Sequence, residues 1–293
     1  MDGGGAAASL GYTVQNGAST PTIRLVRHDA ASPDTLAALG DVAFSAGGRI
    51  TRLRVTDEAA AVILSGTVWV VDLAAAPFAA VQLPAPGTAV DLAVAGHWVA
   101  VAVDHGLYLV DRDDPLQAFL QPTASTPSAL LATPGGFLAF TTTGYVVADT
   151  TGGEPAFTEV VDPALANLQA ASPGGRSALA AGPGSATGRT RVLRLDIADP
   201  TAPAVASSTE VSGTFVALAW DGGDTSVVAV HGDDDGVDPT AFRQGYLVRD
   251  GGGGLQASVI PLSFWSLSAQ PLAARSGLLL AVGANGVALT RYR

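Results

Sequence analysis

The sequence predicts an all-β fold: a β-propeller of four-stranded blades in a single domain, with seven blades favoured and six as the alternative. Three observations carry that expectation. A segment with one strand–turn order recurs about every 40–50 residues, the period of a four-stranded propeller blade. Within each recurrence, apolar residues alternate with polar or small ones over short runs, the two-residue period of a strand. Gly and Pro, 35 and 18 of the 293 residues, fall between those runs, where chain reversals need them.

The clearest repeat is Thr88–Gln121, which reads as four strands, A to D. Val90, Leu92 and Val94 alternate in A, and a Gly96–His97 turn follows. Val99, Val101 and Val103 alternate in B. Leu107–Val110 is an apolar C strand closed by Asp111, and Pro115 precedes a D strand at Leu116–Leu120. Strand C is the best ruler, because an acidic or turn residue closes each copy. The copies lie at 23–33, 68–77, 107–115, 145–155, 192–200, 246–254 and 287–293. Their anchors are Asp29, Asp72, Asp111, Asp149, Asp196, Asp250 and Arg291, spaced 43, 39, 38, 47, 54 and 41 residues apart.

Seven B strands match the seven C strands, but only six A and six D strands are legible. The first unit lacks an A strand and the last lacks a D strand. Joining the C-terminal A strand to the N-terminal B, C and D strands gives the six-bladed alternative, with two strands spare. Closure matters because an open ring leaves two sheet edges unpaired. Residues 1–9 are Gly/Ala-rich and of poor β-propensity, so they read as a flexible linker before a propeller at 10–293. The competing reading of the whole pattern is a β-sandwich or two small β-domains.

The segments LYLVDRDDP (107–115), VLRLDIADPTAP (192–203) and VWVVDLAAAP (68–77) resemble the repeats of LVIVD-repeat proteins, a bacterial and archaeal propeller group. That repeat runs as a D-V-A-V-S-G strand, a Y-A-Y-V-A strand and an L-x-V-I-D-V-S-D-P strand. The stretch AVDLAVAGHWVAVAVDHGLYLVDRDDP (89–115) follows the same order. The match is sharp over 50–200 and departs at Thr150–Glu154, at Gly251–Gly254 and at both ends. The resemblance implies a propeller, often on secreted or surface-attached proteins, and brings no agreed catalytic residues.

Composition removes several function classes. The formal net charge is −11, and every basic side chain is Arg, which argues against a general nucleic-acid binder. Zero Cys excludes disulfides, zinc–thiolate sites, iron–sulfur clusters and thiol catalysis. No apolar run reaches membrane-spanning length. There is no G-x-S-x-G elbow and no H-E-x-x-H. AAGPGSATGR (180–189) has Gly and Ser but neither Lys nor a following helical pattern, so it is not a phosphate loop. A scattered Ser–His–Asp site or a carboxylate pair stays open, although the chain has only four Glu.

In a propeller the B–C and D–A connections share one face, conventionally the top, and the A–B and C–D turns share the other. The repeated Asp residues therefore form a bottom-face set, read chiefly as turn stabilisers that accept backbone N–H bonds. Three B–C loops are long: Asn16–Pro21, Pro183–Thr190 and Gly232–Gln244. The last is the most unusual stretch, HGDDDGVDPTAFRQ (231–244). Asp233, Asp235 and Asp238 are candidate calcium ligands, because hard cations need several carboxylate oxygens. A solvated acidic loop is the competing reading, since the distal Glu of an EF-hand is missing. A second acidic turn, Asp221–Asp224, falls at the opposite end of the same B strand.

His97 and His105 flank one B strand, roughly 25 Å apart at about 3.3 Å per residue, and cannot share a proton or a metal. His231, beside the acidic loop, is the one histidine singled out for binding. Trp69 and Trp98 are expected to pack between blades. Phe264 and Trp265 lie in a D–A connection, either as an exposed partner anchor or as a buried plug.

The expected function is a non-enzymatic binding or scaffold protein that recognises a protein or glycan partner through its top loops, with Phe264, Trp265 and His231 as contacts. The alternative is a metal-assisted, calcium-dependent hydrolase or lyase at the mouth of the central channel. An enzyme would need polar groups converging from several blades. Calcium is the one cofactor suggested; no nucleic-acid partner and no membrane span are expected. The composition of Asp2–Ser9 resembles the spacer after an export cleavage site, which would put the protein in the periplasm, on the cell surface or outside the cell, with the cytoplasm as the alternative.

Overall fold

Short alternating runs closed by Gly, Pro and Asp produce strands and tight turns, and strands are the only regular elements among the described residues. The computed structural model describes residues 6–13, 22–29, 38–44, 50–56, 58–174, 176–220, 225–231, 241–242, 244–251, 253–260, 264–265, 272–275, 278–283 and 286–291. No helix there is long and apolar enough to cross a membrane.

Each repeat folds into its own antiparallel meander. The first sheet is β1 (Ala6–Thr13), β2 (Thr22–Asp29) and β3 (Ala38–Phe44). The second is β4 (Ile50–Val55), β5 (Ala59–Leu64), β6 (Thr67–Asp72) and β7 (Ala79–Leu83). The third is β8 (Asp91–Ala95), β9 (Trp98–Val103), β10 (Gly106–Asp111) and β11 (Ala118–Pro122). The fourth is β12 (Ala129–Thr133), β13 (Gly136–Phe140), β14 (Gly144–Asp149) and β15 (Ala156–Val161). The fifth is β16 (Ala170–Gly174), β17 (Ser177–Pro183), β18 (Arg189–Asp196) and β19 (Ala204–Ser212).

In the sixth sheet, β20 (Thr214–Trp220), β21 (Thr225–His231), β23 (Gln244–Asp250) and β24 (Leu255–Ile260) pair in that order, while β22 (Ala241–Phe242) leaves it to pair with β25 (Phe264–Trp265). The last sheet is β26 (Leu272–Arg275), β27 (Leu278–Gly283) and β28 (Gly286–Arg291). Among the described residues the terminal sheets have three strands each, in line with the A and D strands that the sequence lacks.

All seven C strands end on their anchor residue, from Asp29 of β2 to Arg291 of β28. Two boundaries differ from expectation. The D strand of the third sheet begins at Ala118, and Leu116 lies 94% exposed in the preceding turn. That turn is closed by Gln117 N–H to Asp114 O and Asp111 N–H to Gln117 O, so backbone closure rather than hydrophobicity sets the strand start. β1 begins at Ala6, within the stretch whose composition reads as linker. Its register, Ala6 opposite Asp29 through Thr13 opposite Thr22, comes from pairing with β2 and not from residue propensity.

The core follows from the two-residue strand period. β5 is buried at every position. Ala59, Ala61 and Ile63 join a cluster with Leu92, Val99 and Val101 of the third sheet. Ala60, Val62 and Leu64 point the other way, into a cluster with Phe44 of the first. Likewise, Ala178, Ala180, Leu193 and Leu195 pack with Phe140 and Tyr145 of the fourth sheet, whereas Leu179 and Val192 pack with Val228 and Val230 of the sixth. Sheets covered on both faces need apolar residues at odd and even positions, which explains the near-continuous apolar B and C strands. Trp69 meets Phe44 edge-to-face at 5.7 Å, and Trp98 is buried. D strands are the exposed edges: β7, β15 and β24 are mostly solvent-facing.

The chain divides into two compact units, Met1–Val103 with Tyr108–Ala118, and Asp104–Leu107 with Phe119–Arg293; the division falls within the third sheet.

Candidate functional site

The B–C loop of the fifth sheet is the one long top loop within the described residues, and its sequence explains its shape. Pro183 and Thr190 are the last paired residues of β17 and β18. Gly184 N–H donates to Arg189 O at 2.9 Å, and Arg189 N–H returns to Ala186 O at 3.2 Å. Gly188, at φ +73°, supplies the left-handed residue that the reversal needs. Glu210 of β19 then fastens the loop tip. Ser185 donates its N–H to Oε1 at 2.7 Å and its hydroxyl to Oε2 at 2.9 Å. Arg189 stands 3.8 Å from Oε2 and donates to Ser212 Oγ at 3.2 Å.

The Ser185 hydroxyl and N–H, and then Arg189 and Arg191, hold the Glu210 carboxyl below its usual range. Ser185 thus gives both its N–H and its hydroxyl to one carboxylate, which fastens the loop tip to β19. Behind it, buried Thr190 donates to Gly213 O at 2.7 Å, and Gly213 N–H donates to Gly188 O at 2.6 Å.

The neighbouring top connections are stitched in the same way. His105, at φ +55°, donates its N–H to Thr126 Oγ1 and accepts from Thr123 N–H. Thr142 donates its N–H and its hydroxyl to Ser125 Oγ, at 3.3 and 3.0 Å. Asn167, at φ +59°, donates its N–H to Thr141 O and its side-chain amide to Thr142 O. Arg191 reaches Ala166 O at 3.4 Å, which ties the fifth sheet to this group. The exposed result is a fixed polar face of His105, Thr142, Thr143, Asn167, Ser185 and Arg189. Loops held by their own hydrogen bonds present donors and acceptors with little ordering cost on binding.

The structure brings two of the sequence-derived candidates to this end of the sheets. His231 is the final residue of β21 and pairs with Thr214, the residue after Gly213, which bonds to the Ser185 loop. Phe264 and Trp265 form β25, opposite Phe242 and Ala241 respectively. The sequence treats the acidic loop and the aromatic pair as separate features; β22 and β25 join the end of one to the other. A two-residue ribbon is too short to show a strand period, so no sequence signal announced it. Asp233, Asp235 and Asp238, and the Asp221–Asp224 turn, lie outside the described residues. Among the described residues no group of three or more His, Asp or Glu could hold a metal ion.

The opposite end carries the Asp anchors. Asp72 Oδ1 accepts from Ala74 and Ala75 N–H, Asp111 Oδ1 from Asp113 and Asp114 N–H, Asp149 Oδ1 from Thr151 N–H and hydroxyl, and Asp196 Oδ1 from Ala198 N–H. These are turn-closing Asx bonds, as the sequence suggests. Asp111 also has His97 Nε2 at 3.9 Å, a neighbour missed from sequence although both residues belong to the same sheet end. In the second unit an open cleft of about 910 Å³ is lined by Arg176, Arg194, Asp196, Asp250, Ser207 and Gly254. Arg194 pairs with Asp250. Two acids offset two bases there, and the cleft lacks the apolar enclosure of a small-molecule pocket.

No family model matches the chain, and no curated protein matches it. Solved structures do. The WD40 domain of Neurospora crassa Pan2 aligns with a TM-score of 0.58 at 14% identity, covering 83% of this chain and 76% of that one. Apo AztD from Citrobacter koseri gives 0.57 at 9% identity, over 96% and 82%. A chain of the mitotic checkpoint complex gives 0.62 at 12% identity, over 93% and 83%. Likeness at such identities shows the fold alone: WD40 repeats build β-propellers, and this chain is a β-propeller.

Proposed function

We propose that this propeller is a non-enzymatic binding scaffold that recognises a protein partner through the loops at the B–C end of its sheets. The contact set comprises the exposed polar residues around Ser185 and Arg189, together with His231, Phe264 and Trp265. The observation that carries this reading is the fastening of the loops to the strands and to one another. Ser185 is held on Glu210, Thr142 on Ser125, and Asn167 on Thr142, which gives a preformed surface on rigid strands. A neighbour from a multi-protein checkpoint assembly accords with such a use. We further infer kinship with LVIVD-repeat propellers, supported by the Asp that closes β6, β10, β14 and β18 and turns the chain there.

The test is affinity capture from the source cells with wild type, with Phe264→Ala/Trp265→Ala, and with Asp113→Ala at the opposite end, each checked for native β-sheet circular dichroism. Partner proteins captured by wild type and Asp113→Ala but lost from the aromatic variant are expected. Partners retained by the aromatic variant and lost from Asp113→Ala would move the surface to the other end. A glycan-array signal without any protein partner would replace the partner class.

A further inference from the structure

We infer that Arg52, Arg54 and Asp91 form a binding site for a small oxyanion, a carboxylate or phosphoryl group, at the edge of β4 and β8 in the first unit. Arg52 and Arg54 are two residues apart and so share one face of β4. Leu53, between them, packs the opposite way against the Phe44 cluster. Their strand partners Ile63 and Ala61 belong to the core shared with the third sheet. The two arginines therefore occupy positions that the alternation would fill with apolar side chains, as Leu92 and Val94 fill β8 and Ala129 and Leu131 fill β12.

What holds them is a single carboxylate oxygen. Arg52 Nε donates to Asp91 Oδ1 at 3.1 Å and Arg54 Nη2 to the same atom at 3.3 Å. The Asp91 side chain is 3% exposed, whereas those of Arg52 and Arg54 are 22% and 27% exposed. Backbone carbonyls take one more bond from each: Arg52 Nη1 to Thr51 O and Arg54 Nη1 to Leu53 O. Among the described residues, Arg52 Nη2 and Arg54 Nε make no hydrogen bond.

Among the described residues, two guanidiniums share this one carboxylate, an excess of positive charge in a chain whose net charge is −11. The counter-ion is buried, whereas both guanidinium side chains are partly exposed. A buried ion cluster is a poor route to stability compared with apolar packing of the same volume. Its geometry instead suits a second anion, which would relieve the repulsion between the two cations and take up the free forked donors.

The test is thermal unfolding at constant ionic strength, with sodium chloride replaced stepwise by inorganic phosphate or by malonate. The wild-type midpoint is expected to rise and saturate, because ligand that binds only the native state stabilises it. In Arg54→Gln the half-saturating concentration should increase about tenfold or more, the loss of one charge-assisted contact. Arg54→Lys, which keeps the charge but not the fork, should fall between. A response to phosphate alone assigns a phosphoryl ligand, and a response to malonate alone assigns a carboxylate. No response beyond chloride to either anion, or an equal response in wild type and both variants, overturns the site.

Discussion

Replacing Asp111 separates its turn-closing role from any ligand role. Its Oδ1 accepts from Asp113 N–H at 2.8 Å and from Asp114 N–H at 3.4 Å, and the side chain is 13% exposed. A hydrogen bond to a charged acceptor contributes about 1.5–3 kcal/mol. The 3.4 Å bond is weak, and the exposed turn residues Asp113 and Asp114 recover part of the loss by bonding water. Asp111→Ala should therefore cost about 2 kcal/mol, a fall of roughly 3 °C in Tm for a chain of this length. Asp72 makes the same pair of bonds, at 2.8 and 3.3 Å, from an exposed position. Asp72→Ala should cost about half as much, near 1 kcal/mol. Asp111→Asn keeps the Oδ1 acceptor and should recover most of the loss. The assay is urea unfolding followed by tryptophan fluorescence, since buried Trp98 lies at the same sheet end. If Asp111→Asn were as damaging as Asp111→Ala, or if neither changed the midpoint, the turn-closing account of the repeated Asp would fail.

Two further outcomes are expected. Gly136 has φ +152°, and a Cβ there would sit 1.9 Å from Ala148 O of the paired strand; Gly136→Ala should cost about 3 kcal/mol or more or give insoluble protein. Gly135→Ala, which meets a Thr151 methyl at 3.1 Å, should be tolerated, and equal soluble yields and midpoints for the two would contradict the clash. The Asp149 carboxyl is held below its ordinary value first by the Thr151 hydroxyl and then by its N–H, Asp199 likewise by Thr201, and Glu210 by Ser185. A depressed folded-state value makes the contribution complete above the ordinary carboxylate range near pH 4 and removes it as pH falls through the folded value. The Tm should accordingly drop on acidification from pH 5 to 2, with a shallower drop in Thr151→Val. An unchanged slope in that variant would reject the assignment to Asp149.

Local chemistry made the architecture legible. The Asp that closes six of the seven C strands is a turn former whatever surrounds it, so its spacing measures the repeat, and those strands end where that residue stands. Alternation located the strands because side chains on a pleated backbone must point to opposite faces. The incomplete end sheets were countable for the same reason. Only the tertiary structure could show which residues from different repeats meet. Asp91 lies 37 residues from Arg54, Glu210 25 from Ser185, and the Ala241–Phe242 and Phe264–Trp265 pairs have no period to betray their contact. Arg52 and Arg54 interrupt an apolar face, which the sequence displays, but the carboxylate that accepts from both comes from the next sheet. Strand identity follows from near neighbours along the chain. A site follows from side chains brought together by packing, and their long-range pairing left no mark in a single sequence.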